Sequence, residues 1–296
     1  MKPVITVAGQ ANGSALLWST DGINYNAASV TQGGSNVELS RYSFIENNGS
    51  YWLLGASGAL ASSSNGKDWS VLTTAIPSSV ELSSAGWNGT AWVVVGRNGS
   101  IPYSARSVDG LSWTDVSGEL RDMGKVKGTE IFVGIPGPLN PYTSQEGFSY
   151  IKLSDDGIGW SPSSSATSAV EALISSTPHA TRSITVNDIE YNGSLWLATL
   201  VATFDSVSTT YTLSSPDADE WTLNPTINSA QLGKPTHLSW NNSRWLVGGF
   251  AGSNVLAYSS DGITWTPSPS ILALTGAGSS GSIGGDTSDL IIGSNF

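Results

Sequence analysis

The phrase Trp87-Asn-Gly-Thr-Ala-Trp-Val-Val-Val-Gly96 is followed by Ser107-Val-Asp-Gly-Leu-Ser-Trp113, and these two phrases together decide the fold. The first joins a turn dipeptide to a continuously apolar run, which indicates a strand buried on both faces. The second joins a Ser-x-Asp-Gly turn to a closing aromatic residue. Both phrases recur along the chain, so the sequence predicts a repeat architecture.

The Ser-x-Asp-Gly-x-x-Trp segment occurs six times, with one degenerate copy. Its turn position holds Asp21, Asn65, Asp109, Asp156, Asp217 and Asp261. The copies close on Tyr25, Trp69, Trp113, Trp160, Trp221 and Trp265, which are 44, 44, 47, 61 and 44 residues apart. A period near 44 residues is typical of a four-stranded propeller blade. We expect structural roles for these residues, because the carboxylate can accept N–H groups of its own turn and the ring can pack between blades.

The segment resembles the Asp box, or BNR repeat, of sialidase-like propellers, and the whole blade phrase is similar to propellers of phage and large DNA virus proteins. The resemblance implies an all-β fold: a single six-bladed propeller over residues 1–296, with seven blades as the alternative. We expect the two termini to close the ring. A strand at 4–9 would pair with one at 282–285, and a further strand at 290–293 would either pair at this seam or begin a seventh blade.

Two insertions, near residues 135–147 and 161–182, interrupt the repeat. The second is rich in Ser, Thr and Ala, and we interpret it as a long loop with a helical turn at residues 170–174. Insertions in repeat arrays map to loops, often on the binding face, so we expect these two to form the contact surface.

Asn-Gly dipeptides begin at Asn12, Asn48, Asn88, Asn98 and Asn192, each within an Asn-x-Ser/Thr sequence. We interpret them as turn chemistry, with Asn and Gly supplying the two positive-φ positions of a type I′ hairpin.

The composition excludes several classes of function. The chain has 296 residues, 12 Lys and Arg against 23 Asp and Glu, a net charge of −11, and no Cys. A nucleic-acid groove and membrane insertion are disfavoured, and disulfides and thiolate metal sites are excluded. We recognise no signal peptide or transmembrane segment, and expect a virion location, with the cytoplasm as the alternative.

The resemblance makes sialidase the first enzyme to test. It would imply three Arg on the substrate carboxylate, a Tyr–Glu nucleophile pair, an Asp acid and an Arg-Ile-Pro motif. That motif is missing, because Ile101-Pro102 follows Ser100 and Ile135-Pro136 follows Gly134. The histidines, His179 and His237, have no partner at metal-ligand spacing. The sequence therefore predicts no enzyme, no cofactor and no metal.

The polar residues at the channel ends of the first strands are the candidate binding residues. We add two tyrosines as candidate rings for the same site. The full set is Arg41, Tyr42, Arg121, Asp122, Tyr142, Asp188 and His237. Their mixed charge fits a water-filled channel or a pocket for a polar ligand such as a glycan, in which Tyr42 and Tyr142 would be exposed rings.

Three functions stay open at this point. The first, which we favour, is a non-catalytic, adhesin-like recognition or structural module of a virion surface. Its partners would be structural proteins of a larger assembly or a surface glycan. The second is a glycoside hydrolase on a sialidase-like scaffold. The third is an assembly factor similar to the photosystem II assembly propellers. Fold alone does not choose among them.

Overall fold

The computed structural model describes residues 5–9, 16–19, 26–39, 42–56, 58–117, 123–136, 150–227, 234–240, 243–250, 256–267 and 290–294. In these residues strands predominate and helix is confined to one short element, in agreement with the predicted β fold. No helix in this part of the chain combines the length and apolarity needed to cross a membrane. The chain forms two compact units: Met1–Phe132 with Ser154–Trp160 and Asp289–Phe296, and Val133–Leu153 with Ser161–Ser288.

In the first unit, one sheet joins strands from the two ends of the chain. Its strands are β1 (Ile5–Gly9), β2 (Leu16–Ser19), β3 (Asn26–Ala27) and β26 (Leu290–Ser294). The order is β26-β1-β2-β3, and β26 runs antiparallel to β1 with Ile5 opposite Ser294. The segment at 290–293 therefore pairs with β1 at the other end of the chain, while residues 282–285 lie outside the described residues.

The next sheet is larger than the repeat predicts. It contains β4 (Ser29–Gln32), β5 (Ser35–Asn36), β6 (Phe44–Asn47), β7 (Trp52–Ala56), β8 (Ala59–Ser63) and β9 (Asp68–Val71). The hairpin of β4 and β5 turns at Gly33-Gly34 and adds to the outer strand, with β4 parallel to β9. Val30 of this hairpin is buried in one cluster with Trp52 and Trp69, so the hairpin extends the core of the first unit.

The third sheet shows why the apolar run forms a strand buried on both faces. Its strands are β10 (Val80–Trp87), β11 (Trp92–Asn98), β12 (Ile101–Ser107) and β13 (Thr114–Asp115). Trp92 and Val94 of β11 enter one hydrophobic cluster, whereas Val93 and Val95 enter another. Successive side chains of a strand point to opposite faces, so β11 is covered on both sides, as predicted.

Three more four-stranded sheets follow in the described part of the chain, each in sequence order. The first consists of β14 (Met123–Gly128), β15 (Phe132–Pro136), β16 (Lys152–Ser154) and β17 (Ser161–Pro162). The second consists of β18 (Arg182–Tyr191), β19 (Trp196–Phe204), β20 (Val207–Ser215) and β21 (Thr222–Leu223). The third consists of β22 (Lys234–Trp240), β23 (Trp245–Phe250), β24 (Leu256–Ser259) and β25 (Thr266–Pro267).

The insertion at 161–182 differs from its prediction as a long loop, because most of it is helix α1 (Ser164–Ser176). The side chain of Ser163 accepts the N–H of Ala166 and caps the helix start. Ala166, Val170 and Ile174 are spaced four residues apart and form its buried face. The expected turn at 170–174 is thus the second half of a complete helix. Of the other insertion, residues 137–147 lie outside the described residues.

Each described Ser-x-Asp-Gly turn closes on itself. The Oδ1 atom of Asp109 accepts the N–H groups of Leu111 and Ser112 at 2.8 and 2.7 Å, while Ser107 Oγ accepts the N–H of Gly110. The bonds from Ser112 and Leu111 lower the pKa of Asp109 from 3.8 to about 2. Equivalent pairs of bonds reach Oδ1 of Asn65, Asp156, Asp217 and Asp261. Asp21 lies outside the described residues.

The closing Trp rings lie beside these turns. Trp69, Trp113 and Trp221 are buried, whereas Trp160 and Trp265 are partly buried. The Nε1–H of Trp113 donates to the carbonyl of Gly110, and Trp265 makes the same bond to Gly262. Trp113, Trp221 and Trp265 therefore combine apolar contact with a hydrogen bond to their own turn. The Nε1 atoms of Trp69 and Trp160 are buried without a hydrogen-bond partner among the described residues, so these two rings contribute through apolar contact alone.

The type I′ interpretation of the Asn-Gly dipeptides is wrong for the described turns. Gly49, Gly89, Gly99 and Gly193 have positive φ, but the Asn before each does not. At Asn48, Asn88 and Asn192 the side-chain oxygen instead accepts two N–H groups of the turn, so an Asn-capped turn of four residues joins the strands.

Candidate recognition surface

The structure describes three of the seven predicted binding residues: Tyr42, Asp188 and the backbone of His237. Arg41, Arg121, Asp122 and Tyr142 lie outside the described residues. The side chain of Tyr42 is 1% exposed and packs with Ile45 and Trp52, and this burial, followed by the charge of Glu38, raises its pKa. The expectation that Tyr42 is an exposed ring is therefore corrected: in this structure it belongs to the core.

Asp188 bonds to the backbone of two strands of the second unit. Its side chain is 7% exposed, its Oδ2 accepts the N–H of Leu238 on β22, and its Oδ1 accepts the N–H of Ile189. It follows an irregularity in β18 between Val186 and Asp188, and β22 has the same irregularity between Pro235 and His237. The bond from Leu238 therefore joins β18 to β22, which belong to neighbouring sheets.

The first unit has a matching contact between first strands. Ser84 follows an irregularity after Leu82 in β10, and its Oγ donates to the carbonyl of Val126 on β14 and accepts the N–H of the same residue. Nearby, Lys127 Nζ lies 3.5 Å from the carboxylate of Glu46, and both side chains are partly buried. No sequence motif marks Ser84, Glu46 or Lys127, although aligning the first strands on their turns puts Ser84 and Asp188 at one position.

Helix α1 is tied to the second unit at its beginning. The hydroxyl of Ser165 donates to the carbonyl of Asp219 and accepts the N–H of Trp221 at 3.0 Å. Both partners belong to the Ser-x-Asp-Gly turn that precedes β21. The insertion and the repeat turn are therefore joined through one side chain.

The segment after α1 is tied down by Asp205, which lies in the tight turn between β19 and β20. Its carboxylate accepts the N–H of Ala180 at 2.9 Å and the N–H of Thr181 at 2.8 Å. These two bonds, the Thr181 bond first, lower the pKa of Asp205. The ring of His179 packs against Phe204 with centroids 4.9 Å apart. Asp205 thus holds the return from α1 to β18 against the hairpin.

This hairpin turn has an unusual backbone. Asp205 and Ser206 have φ values of 47° and 71°, a region that residues other than Gly rarely adopt. Phe204 pairs with Val207, so Asp205 and Ser206 are the two central residues of a two-residue hairpin turn, and positive φ at both positions is the type I′ geometry that matches the twist of the strands. The four contacts from the Asp205 carboxylate to Ala180 and Thr181 further restrain the first of these residues.

The side of α1 opposite its buried face carries small, exposed side chains at Ser168, Ala172 and Ser175. We call this stripe the α1 face. The helix that presents these side chains is anchored at Ser165, and the segment that follows it is held by Asp205 at Ala180 and Thr181.

Two acidic groups of the second unit hold backbone. Asp205 and Asp217 use their carboxylates to accept backbone N–H groups, which lowers both pKa values. Among the described residues, no group of three or more His, Cys, Asp or Glu side chains is placed to hold a metal ion. The carboxylates of Asp205 and Asp217 therefore act by holding backbone groups of the turns near α1.

Comparison with known proteins places the fold alone. No protein-family model matches the chain, and no curated protein sequence matches it. Among solved structures, the extracellular domain assigned to a one-component system of B. thetaiotaomicron is similar over 89% of this chain and 33% of that one, at 11% identity and a TM-score of 0.50. The N-terminal domain of Nup159 covers 86% of this chain and 68% of its own at 10% identity and a TM-score of 0.45. The similarity to a glycoside hydrolase covers 73% of this chain and 85% of that one, at 11% identity and a TM-score of 0.37. The structures similar to this chain are propeller-like proteins.

Proposed function

We propose that the chain is a six-bladed, non-catalytic propeller that acts as a recognition or structural module of a larger assembly, such as a virion surface. The pairing of β26 with β1 supports a ring closed by the two termini. The five sheets of four strands and the one enlarged sheet in the described residues would be its six blades.

The anchoring of α1 carries the proposal for recognition. An insertion that breaks the repeat is held at Ser165 and, through the segment that follows it, by Asp205, so it keeps one conformation before any partner binds. Preorganised surfaces bind with a smaller loss of conformational entropy. The α1 face lacks aromatic rings, which favours a protein partner over a sugar that would stack on them.

The chain has no Cys, so one introduced Cys gives a unique cross-linking site. We would place a photoactivatable cross-linker on Ala172→Cys and, as a matched control, on Ser64→Cys, since both positions are exposed. In the intact assembly, position 172 should cross-link to one other protein and position 64 should not. Equal cross-linking from both positions would refute the α1 face as the contact surface.

The proposal that the chain is non-catalytic is tested with glycoside substrates. We would incubate the purified chain with a panel of fluorogenic glycosides, sialosides included. No release of the fluorophore is expected. Turnover that is lost on heat unfolding would establish the glycoside hydrolase alternative in place of the proposal.

A further inference from the structure

Five Asn-Gly dipeptides lie in the described residues, at Asn48, Asn65, Asn88, Asn98 and Asn192, and the structure separates one from the other four. The amide nitrogen of a residue after Asn can attack the Asn carboxamide carbon. Gly favours this attack because it has no Cβ to shield its nitrogen. Whether the reaction proceeds depends on how firmly each turn holds the carboxamide and the Gly N–H.

Four of the carboxamides are held by their own turns. In each, Oδ1 accepts two backbone N–H groups, namely those of Ser50 and Tyr51, Lys67 and Asp68, Thr90 and Ala91, and Ser194 and Leu195. These bonds must break before the side chain can rotate towards the Gly nitrogen.

Three of these four carry a further constraint. The N–H of Gly49 donates to Asn47 Oδ1 at 2.7 Å, and the N–H of Gly66 donates to Ser63 Oγ at 2.9 Å, so both nitrogens are engaged. Asn88 is 5% exposed, and its Nδ2 donates to the carbonyl of Asp155 at 2.7 Å. Burial and this bond hold the group that would have to leave as ammonia.

Asn98 has none of these restraints. It lies at the end of β11, it is exposed, and its side chain makes no hydrogen bond to the residues that the structure describes. Gly99 follows at φ +64°, at the first central position of the two-residue turn before Ile101. A Cβ built on Gly99 would have nothing within 4 Å, so the turn is open to water on that side.

We infer that Asn98-Gly99 is a site of spontaneous covalent modification in the folded protein. The nitrogen of Gly99 gives its proton to water and bonds to Cγ of Asn98, the Cγ–Nδ2 bond breaks, and ammonia leaves. The resulting cyclic imide is opened by water at either carbonyl, which yields aspartate or isoaspartate at position 98. The reaction consumes water and needs no oxidant or reductant.

The products change the hairpin of β11 and β12. Each adds one negative charge beside Arg97, on a chain whose net charge is already −11. Isoaspartate also lengthens the main chain by one methylene at the edge of a two-residue turn. Since turn length fixes strand register in a hairpin, isoaspartate should loosen the pairing of Asn98 with Ile101.

The test is to incubate the folded chain in mildly alkaline buffer and follow each Asn-Gly peptide by mass spectrometry. Trypsin cuts after Arg97 and Arg106, so residues 98–106 form one peptide. Asn98 should lose ammonia about thirtyfold faster than Asn192, because two hydrogen bonds of ordinary strength would have to break at Asn192 first. Asn98→Gln should abolish the product, and Gly99→Ala should slow its formation.

A denatured sample is the matched control. In concentrated urea the turns are gone, so all of the Asn-Gly peptides should react at similar rates. Native rates at Asn48 or Asn192 equal to that of Asn98 would overturn the inference. So would an Asn98 that reacts in urea and stays intact in the folded protein.

Discussion

The Oδ2 atom of Asp188 accepts the backbone N–H of Leu238 at 2.8 Å and so joins the first strands of two consecutive repeats, β18 and β22. Ser84 does the same in the first unit, where its Oγ accepts the N–H of Val126 at 3.2 Å. The two residues occupy one repeat position, directly after the irregularity in their strands. A side chain at this position satisfies a backbone group of the neighbouring sheet, which costs free energy when it is left unpaired.

We expect Asp188→Ala to lower the free energy of unfolding by about 1–3 kcal/mol, because the buried N–H of Leu238 loses its acceptor. Asp188→Asn should lower the free energy of unfolding by less, since the amide oxygen of Asn can still accept the N–H of Leu238. Urea denaturation of both variants measures the difference. Equal stability of the Ala variant and the wild type would mean that this bond does not hold the two sheets together.

The same residue shows where sequence interpretation reaches its limit. The repeat alignment correctly places Asp188 on a first strand, and its polarity there suggests a ligand. The sequence does not show how closely the next strand approaches, and that distance turns a candidate ligand group into an acceptor for backbone. For Tyr42 the sequence likewise gives no measure of the packing that buries the ring.

Other features of the fold can be predicted from the sequence. The two-sided burial of β11 follows from its unbroken apolar run. Ser163 followed by apolar residues at 166, 170 and 174 is a readable helix signal, which the Ser-rich composition of the insertion obscured. The hairpin of β4 and β5 has a Gly-Gly turn, but its parallel pairing with β9 is a tertiary contact that local pattern does not encode.

Trp113 should be among the most costly residues to remove. It is 7% exposed and packs in one cluster with Trp92 and Val94. Trp113→Ala should destabilise the chain by about 3–5 kcal/mol through lost burial and a cavity. Thermal unfolding provides the measurement, with the partly buried Trp265→Ala as a milder comparison. A melting temperature unchanged by Trp113→Ala would show that the ring contributes no packing energy.

The Asp residues of the repeat turns should make stability fall in acid. Backbone hydrogen bonds lower the pKa of Asp109 and Asp261 from 3.8 to about 2. A carboxyl with a lower pKa in the folded state contributes stability that is complete above its unfolded pKa and is lost as the pH falls through its folded pKa. Stability should therefore decline between about pH 4 and pH 2.

A double variant isolates this effect. Asp109→Asn with Asp261→Asn keeps an acceptor oxygen and removes the titration, as Asn65 does naturally in its own turn. The slope of unfolding free energy against pH should be shallower in the double variant over that interval. Identical slopes would assign the acid sensitivity to other carboxyl groups.

Asp205 should control the segment that follows α1. In Asp205→Ala, the N–H groups of Ala180 and Thr181 lose their acceptor, so their hydrogen exchange should accelerate while exchange in β19 changes little. Ser206→Gly is the matched control, because it relieves the positive φ of Ser206 and leaves the Asp205 bonds in place. Unchanged exchange at Ala180 and Thr181 in the Ala variant would show that other contacts hold this segment.

An introduced aspartate should destabilise the chain strongly on the buried side of α1 and only slightly on the α1 face. Val170 is fully buried on the inner side, so Val170→Asp places a carboxylate among apolar groups and should cost several kcal/mol. Ala172 is exposed on the α1 face, and Ala172→Asp should change the free energy of unfolding by only about 0.5 kcal/mol. Urea denaturation of the pair tests the orientation of the helix. Similar losses of stability for both variants would mean that α1 is covered on both sides, and that the α1 face is not available to a partner.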